Sequence, residues 1–358
     1  MAYTTINKST EHFNTKLYTG TGSSHAITGV GFQPDWVWIK SRSLSNEDHK
    51  LHDSVRGTNG GYYESLRSNS DVASDVVTDG SADNTGMSAI GSDGFTVVSN
   101  GSHNQSSATY ASWNWKAGGG QGSSNTDGSI NTTHTSVNTT AGFSISTYTG
   151  NATAGATIGH GLGTTPSMIM VKNRSATGSW RVYHKSLGAN YLIQLNLNGA
   201  ALDNTTWNDT APTSSVFTIN STSDVNASGN EFVAYCFAEK TGYSKFGSYV
   251  GNANADATFI YTGFKPAFVM IKNTEASEHW RIYDNKRDPF NHMFRNLKPN
   301  ENSAENTTDN ASEEIDFVSN GIKIRSNSQQ LNGSGQNLIY MAFGQSLVGS
   351  NNVPCTAR

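Results

Sequence analysis

The sequence predicts an all-β fold of three repeated antiparallel β-sandwich units in tandem, of jelly-roll or concanavalin-like type. Three observations carry this. One strand-like phrase is written three times, as DWVWIK from Asp35, SMIMVK from Ser167 and AFVMIK from Ala267, each shortly after a proline (Pro34, Pro166, Pro266). Short segments alternate apolar and polar residues with the period of a strand, as in FTVVSN from Phe95, FTINST from Phe217 and IKIRSN from Ile322. Turn signals such as SDG at Ser92 and SNG at Ser319 lead directly into these segments, and no amphipathic helical pattern of ten residues or more interrupts them.

Within a unit the elements keep one order. FNTKLYTG from Phe13, FSISTYTG from Phe143 and YSKFGSYVG from Tyr243 alternate and open the three units. A Gly-rich phrase and a proline follow, the proline fitting a position where no ladder donor is needed. The core strand comes next. Its apolar run is continuous, as expected of a strand buried on both faces or covered by a second sheet. WRVYHK from Trp180 and WRIYDN from Trp280 form the next shared phrase, with HKLHDS from His49 as the weaker counterpart. The units close on YASWNWKAG from Tyr110, FVAYCFAEK from Phe232 and LIYMAFGQS from Leu338. A period near 100 residues is the size of an independent domain rather than of a solenoid repeat, roughly 20 to 50 residues.

The expected boundaries are a first sandwich over 1–117, a Gly/Ser/Thr/Asn linker over 118–140, a second sandwich over 141–240, a third over 241–346 and a tail over 347–358. The long spacer predicts a mobile first domain and a 141–358 fragment that folds without it. The short junction AEKTGYSK from Ala238 predicts close docking of the second and third. An aspartate at Ile39, Val171 or Ile271 is expected to unfold only the unit that holds it.

Composition narrows the function classes. Charged residues are 15% of the chain and the net charge is -4, without a Lys/Arg cluster, which argues against nucleic acid as a partner. No apolar run approaches a membrane span, and MAYTTINKSTEHF lacks the pattern of a secretory signal, so synthesis in a cytoplasm without membrane insertion is expected. Cys236 and Cys355 have neither CxxC nor CxxH spacing, which predicts one buried and one exposed thiol. No cofactor, metal site or catalytic residue is expected. His49 and His52 lack a third ligand nearby, and the acidic segment from Asp71 to Asn84 does not follow a twelve-residue calcium loop. Nothing singles out a pair of carboxylates for glycoside cleavage. Trp, Tyr and Arg favour binding hot spots, so Trp180, Arg181 and Tyr183, with Trp280, Arg281 and Tyr283, are the candidate binding residues, weighed against a core or interdomain role.

The opening stretch YTTINKSTEHFNTKLYTGTGSSHAITGVGFQPDWVWIKSRS, the phrases HDSVRG at His52, SDGFTVVSN at Ser92 and YASWNWKAG at Tyr110, and the tail NNVPCTAR resemble a family of virion structural proteins of tailed bacteriophages, especially marine ones. The resemblance covers almost the entire chain. It implies assembly in the host cytoplasm into the virion surface or tail, as a tail fibre, spike or receptor-binding component. The expected partners are other virion proteins, further copies of the chain in a trimer, and a host-surface glycan or receptor. A capsid decoration or head-vertex protein is the alternative, and a carbohydrate-degrading depolymerase the enzymatic one.

Overall fold

The computed structural model describes residues 4–74, 86–98 and 100–348. Repeat 1 runs through β1 (Phe13–Thr19), β2 (His25–Thr28), β3 (Trp36–Ser41), β4 (Lys50–Asp53), β5 (Thr58–Asn59), β6 (Tyr62–Tyr63), β7 (Leu66–Arg67), β8 (Met87–Gly91), β9 (Gly94–Val97) and β10 (Thr109–Trp115). Repeat 2 comprises β11 (His134–Asn138), β12 (Phe143–Thr149), β13 (Ala156–Gly159), β14 (Met168–Asn173), β15 (Arg181–His184), β16 (Tyr191–Gln194), β17 (Leu202–Asp203), β18 (Val216–Ile219) and β19 (Glu231–Phe237). Repeat 3 comprises β20 (Ser244–Val250), β21 (Phe259–Tyr261), β22 (Pro266–Asn273), β23 (Arg281–Asp284), β24 (Ile315–Val318), β25 (Gly321–Ile324) and β26 (Asn337–Gly344). A single helical turn precedes each closing strand: α1 (Gly101–Asn104), α2 (Ser223–Asn226) and α3 (Gln329–Asn332).

The paired strands are antiparallel, and each repeat has a large and a small sheet. The large sheets have the orders β1-β10-β3-β4-β7, β11-β12-β19-β14-β15-β16-β17 and β20-β26-β22-β23. The small ones are β2-β9-β8, β13-β18 and β21-β25-β24. Registers match across repeats: Trp38 lies opposite Trp113, Met170 opposite Tyr235 and Met270 opposite Met341.

Alternation gives each core strand two apolar faces, and both are buried. Val37 and Ile39 meet Phe95 and Val97 of the small sheet; Ile169 and Val171 meet Phe217 and Ile219; Val269 and Ile271 meet Ile322 and Ile324. These are private cores. The opposite faces, carrying Trp36 and Trp38, Met168 and Met170, and Phe268 and Met270, converge with Trp115, Phe237 and Phe343 in one core common to all three repeats. Rings cross between repeats there. Trp36 stacks on Tyr235 with centroids 4.6 Å apart, and Phe13 on Phe343 at 5.0 Å. Aromatic pairs of this kind add about 0.5–1.5 kcal/mol to their area burial.

This shared core corrects the expectation of a mobile first domain. Removing repeat 1 would expose the central faces of the other two. The connector over 118–140 is likewise ordered. Its second half is β11, paired with β12 from His134–Thr147 to Asn138–Phe143, while Ile130 bridges Ile158. The chain Thr132 to Thr135 to Ser146, with hydroxyl distances of 2.9 and 3.0 Å, holds it. Backbone and hydroxyl bonds need no apolar pattern, which is why the segment reads as a linker.

The repeated Tyr-x-Gly at the end of each opening strand has a mechanical basis. Tyr18, Tyr148 and Tyr249 each donate a 2.7 Å bond to a helical-turn carbonyl, of His103, Val225 and Leu331. At Gly20, Gly150 and Gly251 a Cβ would run into the carbonyl oxygens of Gln105, Ala227 and Gly333. The next N–H bonds the Oδ1 of Asn104, Asn226 or Asn332, at 2.8, 2.8 and 2.7 Å.

Candidate functional site: the three seams between repeats

The repeats meet cyclically. The N–H of Ser74 donates to the carbonyl of Arg174, that of Ala201 to Thr274, and that of Glu305 to Arg42, at 2.9, 2.8 and 2.9 Å. Repeat 1 thus bonds repeat 2, repeat 2 bonds repeat 3, and repeat 3 bonds repeat 1. By register, Leu66, Ile193 and Leu297 pair with the equivalent residues Leu51, Val182 and Ile282, the donors follow these three at one common spacing, and the acceptors directly follow the core strands, so the arrangement is a closed pseudo-threefold ring.

Buried charge secures two of the seams. On the repeat 1 side, Asp53 accepts from Arg56 Nε at 2.5 Å and from the Tyr235 hydroxyl of repeat 2 at 2.6 Å. On the repeat 3 side, Asp284 accepts from Arg287 Nε at 2.5 Å and from Trp113 Nε1 of repeat 1 at 3.0 Å. Burial pushes the Asp53 carboxyl up, but Arg56 and the Tyr235 hydroxyl outweigh it and hold the group below the usual range. A second arginine lies at each of these seams: Arg174 bonds Glu64 at 2.9 Å, and Arg42 bonds Glu305 at 2.8 Å.

The seam between repeats 2 and 3 lacks all of this. By strand register, His184 stands where Asp53 and Asp284 do, Leu187 replaces Arg56 and Arg287, and Thr274 replaces Arg42 and Arg174. His184 Nε2 meets the Tyr340 carbonyl at 3.2 Å, and burial lowers its pKa to about 4, so it is the neutral donor there. A groove of about 550 Å³ lies at this seam, whereas the corresponding space between repeats 1 and 2, lined by Arg56 and Arg174 and by Gln121, Thr133 and His134 of the connector, is about 170 Å³. Leu187 and Ile339 supply apolar lining, and Tyr191, 40% exposed, an aromatic wall. Ser186 and Ser248 add hydroxyls, and Asn337 Nδ2 donates to Glu275 Oε1 at 2.6 Å. An aromatic face beside hydroxyls, an amide and a carboxylate suits an uncharged polyhydroxylated ligand, and the volume falls within the range of roughly 300–1,000 Å³ typical of ligand pockets.

Below each seam a lysine of the core strand is buried. Lys172 Nζ donates to the carbonyls of Asn173 at 2.7 Å and of Asp71, across the seam, at 3.1 Å. Lys272 does the same to Asn273 at 2.6 Å and to Asn198 of repeat 2 at 3.1 Å. Burial lowers Lys40 and Lys172 to about 8 and Lys272 to about 7. These ammonium groups tie carbonyls together inside the structure and do not face the groove.

Of the six candidate binding residues, the two tryptophans are brought to the seams and the arginines and tyrosines are held by partners within their own repeats, with Arg281 also lining a space of about 270 Å³. Trp180 and Trp280 are buried, and their Nε1–H groups donate across seams to the carbonyls of Arg67 (2.8 Å) and Gln194 (3.0 Å). Arg181 pairs with Asp224, and Arg281 is buried against Glu313 at 2.8 Å. Tyr183 packs edge-on to Trp207, and the Tyr283 hydroxyl donates to the Glu313 carbonyl at 2.8 Å. Trp180 and Trp280 thus occupy the interdomain role weighed beside ligand contact, and Tyr183 and Tyr283 the core role. Recurrence in two repeats marked what the repeats need in common. The groove lies instead where repeat 2 and repeat 3 depart from the pattern. That departure can be read from the aligned phrases WIKSRS, MVKNRS and MIKNTE, where Arg42 and Arg174 give way to Thr274.

Cys236 is buried as expected, and burial drives its thiol well above the ordinary range; Cys355 lies outside the described residues. Most of the acidic segment, from Asp75 to Asn84, also lies outside them. Among the described residues no three His, Cys, Asp or Glu side chains form a metal-sized group, and no helix is long and apolar enough to cross a membrane. His52 and His103 do meet, Nε2 to Nε2 at 2.8 Å, behind β4.

Residues 8–346 match the family described as Domain of unknown function (DUF7483), and the chain belongs to that family. No curated protein matches it.

Proposed function

We propose that this chain is a bacteriophage virion protein of the tail-fibre, spike or receptor-binding kind, which contacts a host-surface glycan without turning it over. The observation that carries the reading is the open groove at the one seam whose two arginines are replaced. A rigid ring presents it, since every large sheet is held on both faces. Among the described residues, Glu275 is the single carboxylate lining the groove, which favours recognition over cleavage, because glycoside hydrolysis ordinarily uses two carboxyl groups about 5–10 Å apart. Three repeats already surround one axis within the chain, so the threefold arrangement expected of three copies has an intramolecular counterpart. Several copies per particle would then convert weak contacts into avidity, by factors of roughly 10² to 10⁴.

The test is binding of purified protein to host cells and to their neutral and acidic surface polysaccharides, with release of reducing ends followed in parallel. Binding that Tyr191→Ala or Leu187→Arg reduces at least tenfold, without sugar release, is expected. Release at enzymatic rates would establish a depolymerase instead, and antibody labelling over the head of intact particles would establish the decoration role.

A further inference from the structure

The three repeats treat one sheet edge in three ways. In repeat 2 the opening strand β12 is paired on both sides, with β19 and with connector strand β11, while the counterparts β1 and β20 are paired on one side only. The same connector covers the small sheet. Its Ser129 Oγ accepts from the N–H of Thr157 at 2.9 Å, and its Ile130 N–H donates to the carbonyl of Thr157 at 3.0 Å. Both outward-pointing backbone groups of β13 are thereby satisfied.

By register, Phe259 is the counterpart of Thr157, because Ile158 lies opposite Phe217 and Ile260 opposite Ile322. The bond from Ile324 N–H to the Thr258 carbonyl makes Thr258–Ile324, and hence Ile260–Ile322, the hydrogen-bonded pairs of this ladder. The N–H and C=O of Phe259 therefore point away from β25. No bond from another described residue reaches them. Phe259 and Tyr261, 44% and 61% exposed, and Val250, 52% exposed, stand at this bare edge. Repeat 1 has the small residues Ala26 and Thr28 in place of the two aromatics, with Lys16 laying its ammonium beside Gly29 at the end of β2. A charge there blunts an edge against pairing; in repeat 3 the neighbouring charge, Lys323 opposite Phe259, is held by the Ala257 carbonyl and Asp256 at the start of the strand, which leaves Phe259 and Tyr261 as the template for an added strand.

We infer that the β20/β21 edge of repeat 3 receives an extended Ser/Thr/Asn-rich segment of another polypeptide, seated as the connector is seated on repeat 2. The occupant follows from that internal precedent: a hydroxyl to accept from the Phe259 N–H, then an aliphatic residue whose N–H donates to the Phe259 carbonyl. The aromatics give the added segment apolar contacts.

A synthetic peptide copying Ser123 to Asn138 is the probe, titrated into the full chain while amide hydrogen exchange is followed. Exchange at Phe259 is expected to slow at least tenfold, with no such effect from a scrambled peptide. Phe259→Pro, which removes the donor at an outward-facing position, and Tyr261→Lys, which charges the edge, should each weaken the peptide at least tenfold while leaving the melting temperature within a few degrees of wild type. Unchanged exchange at Phe259 in millimolar peptide would overturn the inference. So would peptide-induced shifts of the Tyr261 ring without slowed exchange at Phe259, since the ligand would then lie on the face of the sheet and not along its edge.

Discussion

The seam between repeats 1 and 2 and the seam between repeats 2 and 3 are built on the same backbone bond, yet one is closed by charge and the other is open. At the first, Asp53, Arg56, Tyr235, Arg174 and Glu64 fill the space. At the second, His184, Leu187 and Thr274 leave the groove. The ring therefore does not depend on the ion pairs for its geometry. Backbone bonds and the shared aromatic core set the arrangement, and the side chains at each seam decide whether it is sealed or accessible.

The largest effect should come from breaking the closed seam on one side. Arg56→Leu leaves Asp53 buried without its cation and should cost about 3–5 kcal/mol in urea denaturation. Replacing the buried pair by its second-seam counterparts, with Asp53→His and Arg56→Leu together, should recover more than half of that loss, because the unpaired charge is gone. A double variant no better than the single one would show that the pair supplies something the His/Leu seam lacks. Because the three repeats share a core, the single variant should melt the whole ring in one transition.

An intermediate effect follows from pH. Tyr183 and Tyr283 occupy the position that His52 holds in repeat 1, so only repeat 1 has the facing imidazoles. Burial, with Arg56 and Lys50, lowers His52 to about 3, and burial beside His52 puts His103 well below its ordinary value. Both folded-state values lie under the unfolded value of about 6.5, so the unfolded chain takes up protons first. Their contribution is present above about pH 6.5 and is lost as pH falls from there toward 3. The Asp53 carboxyl, also held low, adds acid sensitivity of the same sign. Replacing His52 by Tyr and His103 by Val, the repeat 2 pair, should flatten the stability profile between pH 6 and 4 relative to wild type. An unchanged slope would assign the acid sensitivity to the other buried imidazoles held low, His49 and His184, and to the carboxylates.

The smallest effects should come from the open seam. Glu275→Gln and Tyr191→Ala alter partly exposed lining residues and should change stability by less than about 1 kcal/mol. Their effect should appear in glycan binding instead. A loss of several kcal/mol from either would mean that the groove is a structural element of the ring.

Much of the fold is legible in the sequence because a strand buried on both faces carries an unbroken apolar run, and WVWIK, MIMVK and FVMIK have one. The threefold phrase, the order of elements, the buried Cys236 and the all-β class follow from such local signals. Periodicity states that a second face is covered, however, and not by what. Trp36 and Met168 read as the cores of separate sandwiches, and only the folded chain shows them meeting in one. The connector reads as a linker because Thr132, Thr135 and Ser146 bond through hydroxyls rather than apolar contacts. Trp180 and Trp280 attract a functional reading by residue type, but their surroundings make them seam contacts. The replacement of arginine by Leu187 and Thr274 stands in the sequence. That a groove lies there was decided by tertiary structure, because a missing side chain leaves space only where packing from two repeats has already fixed the walls.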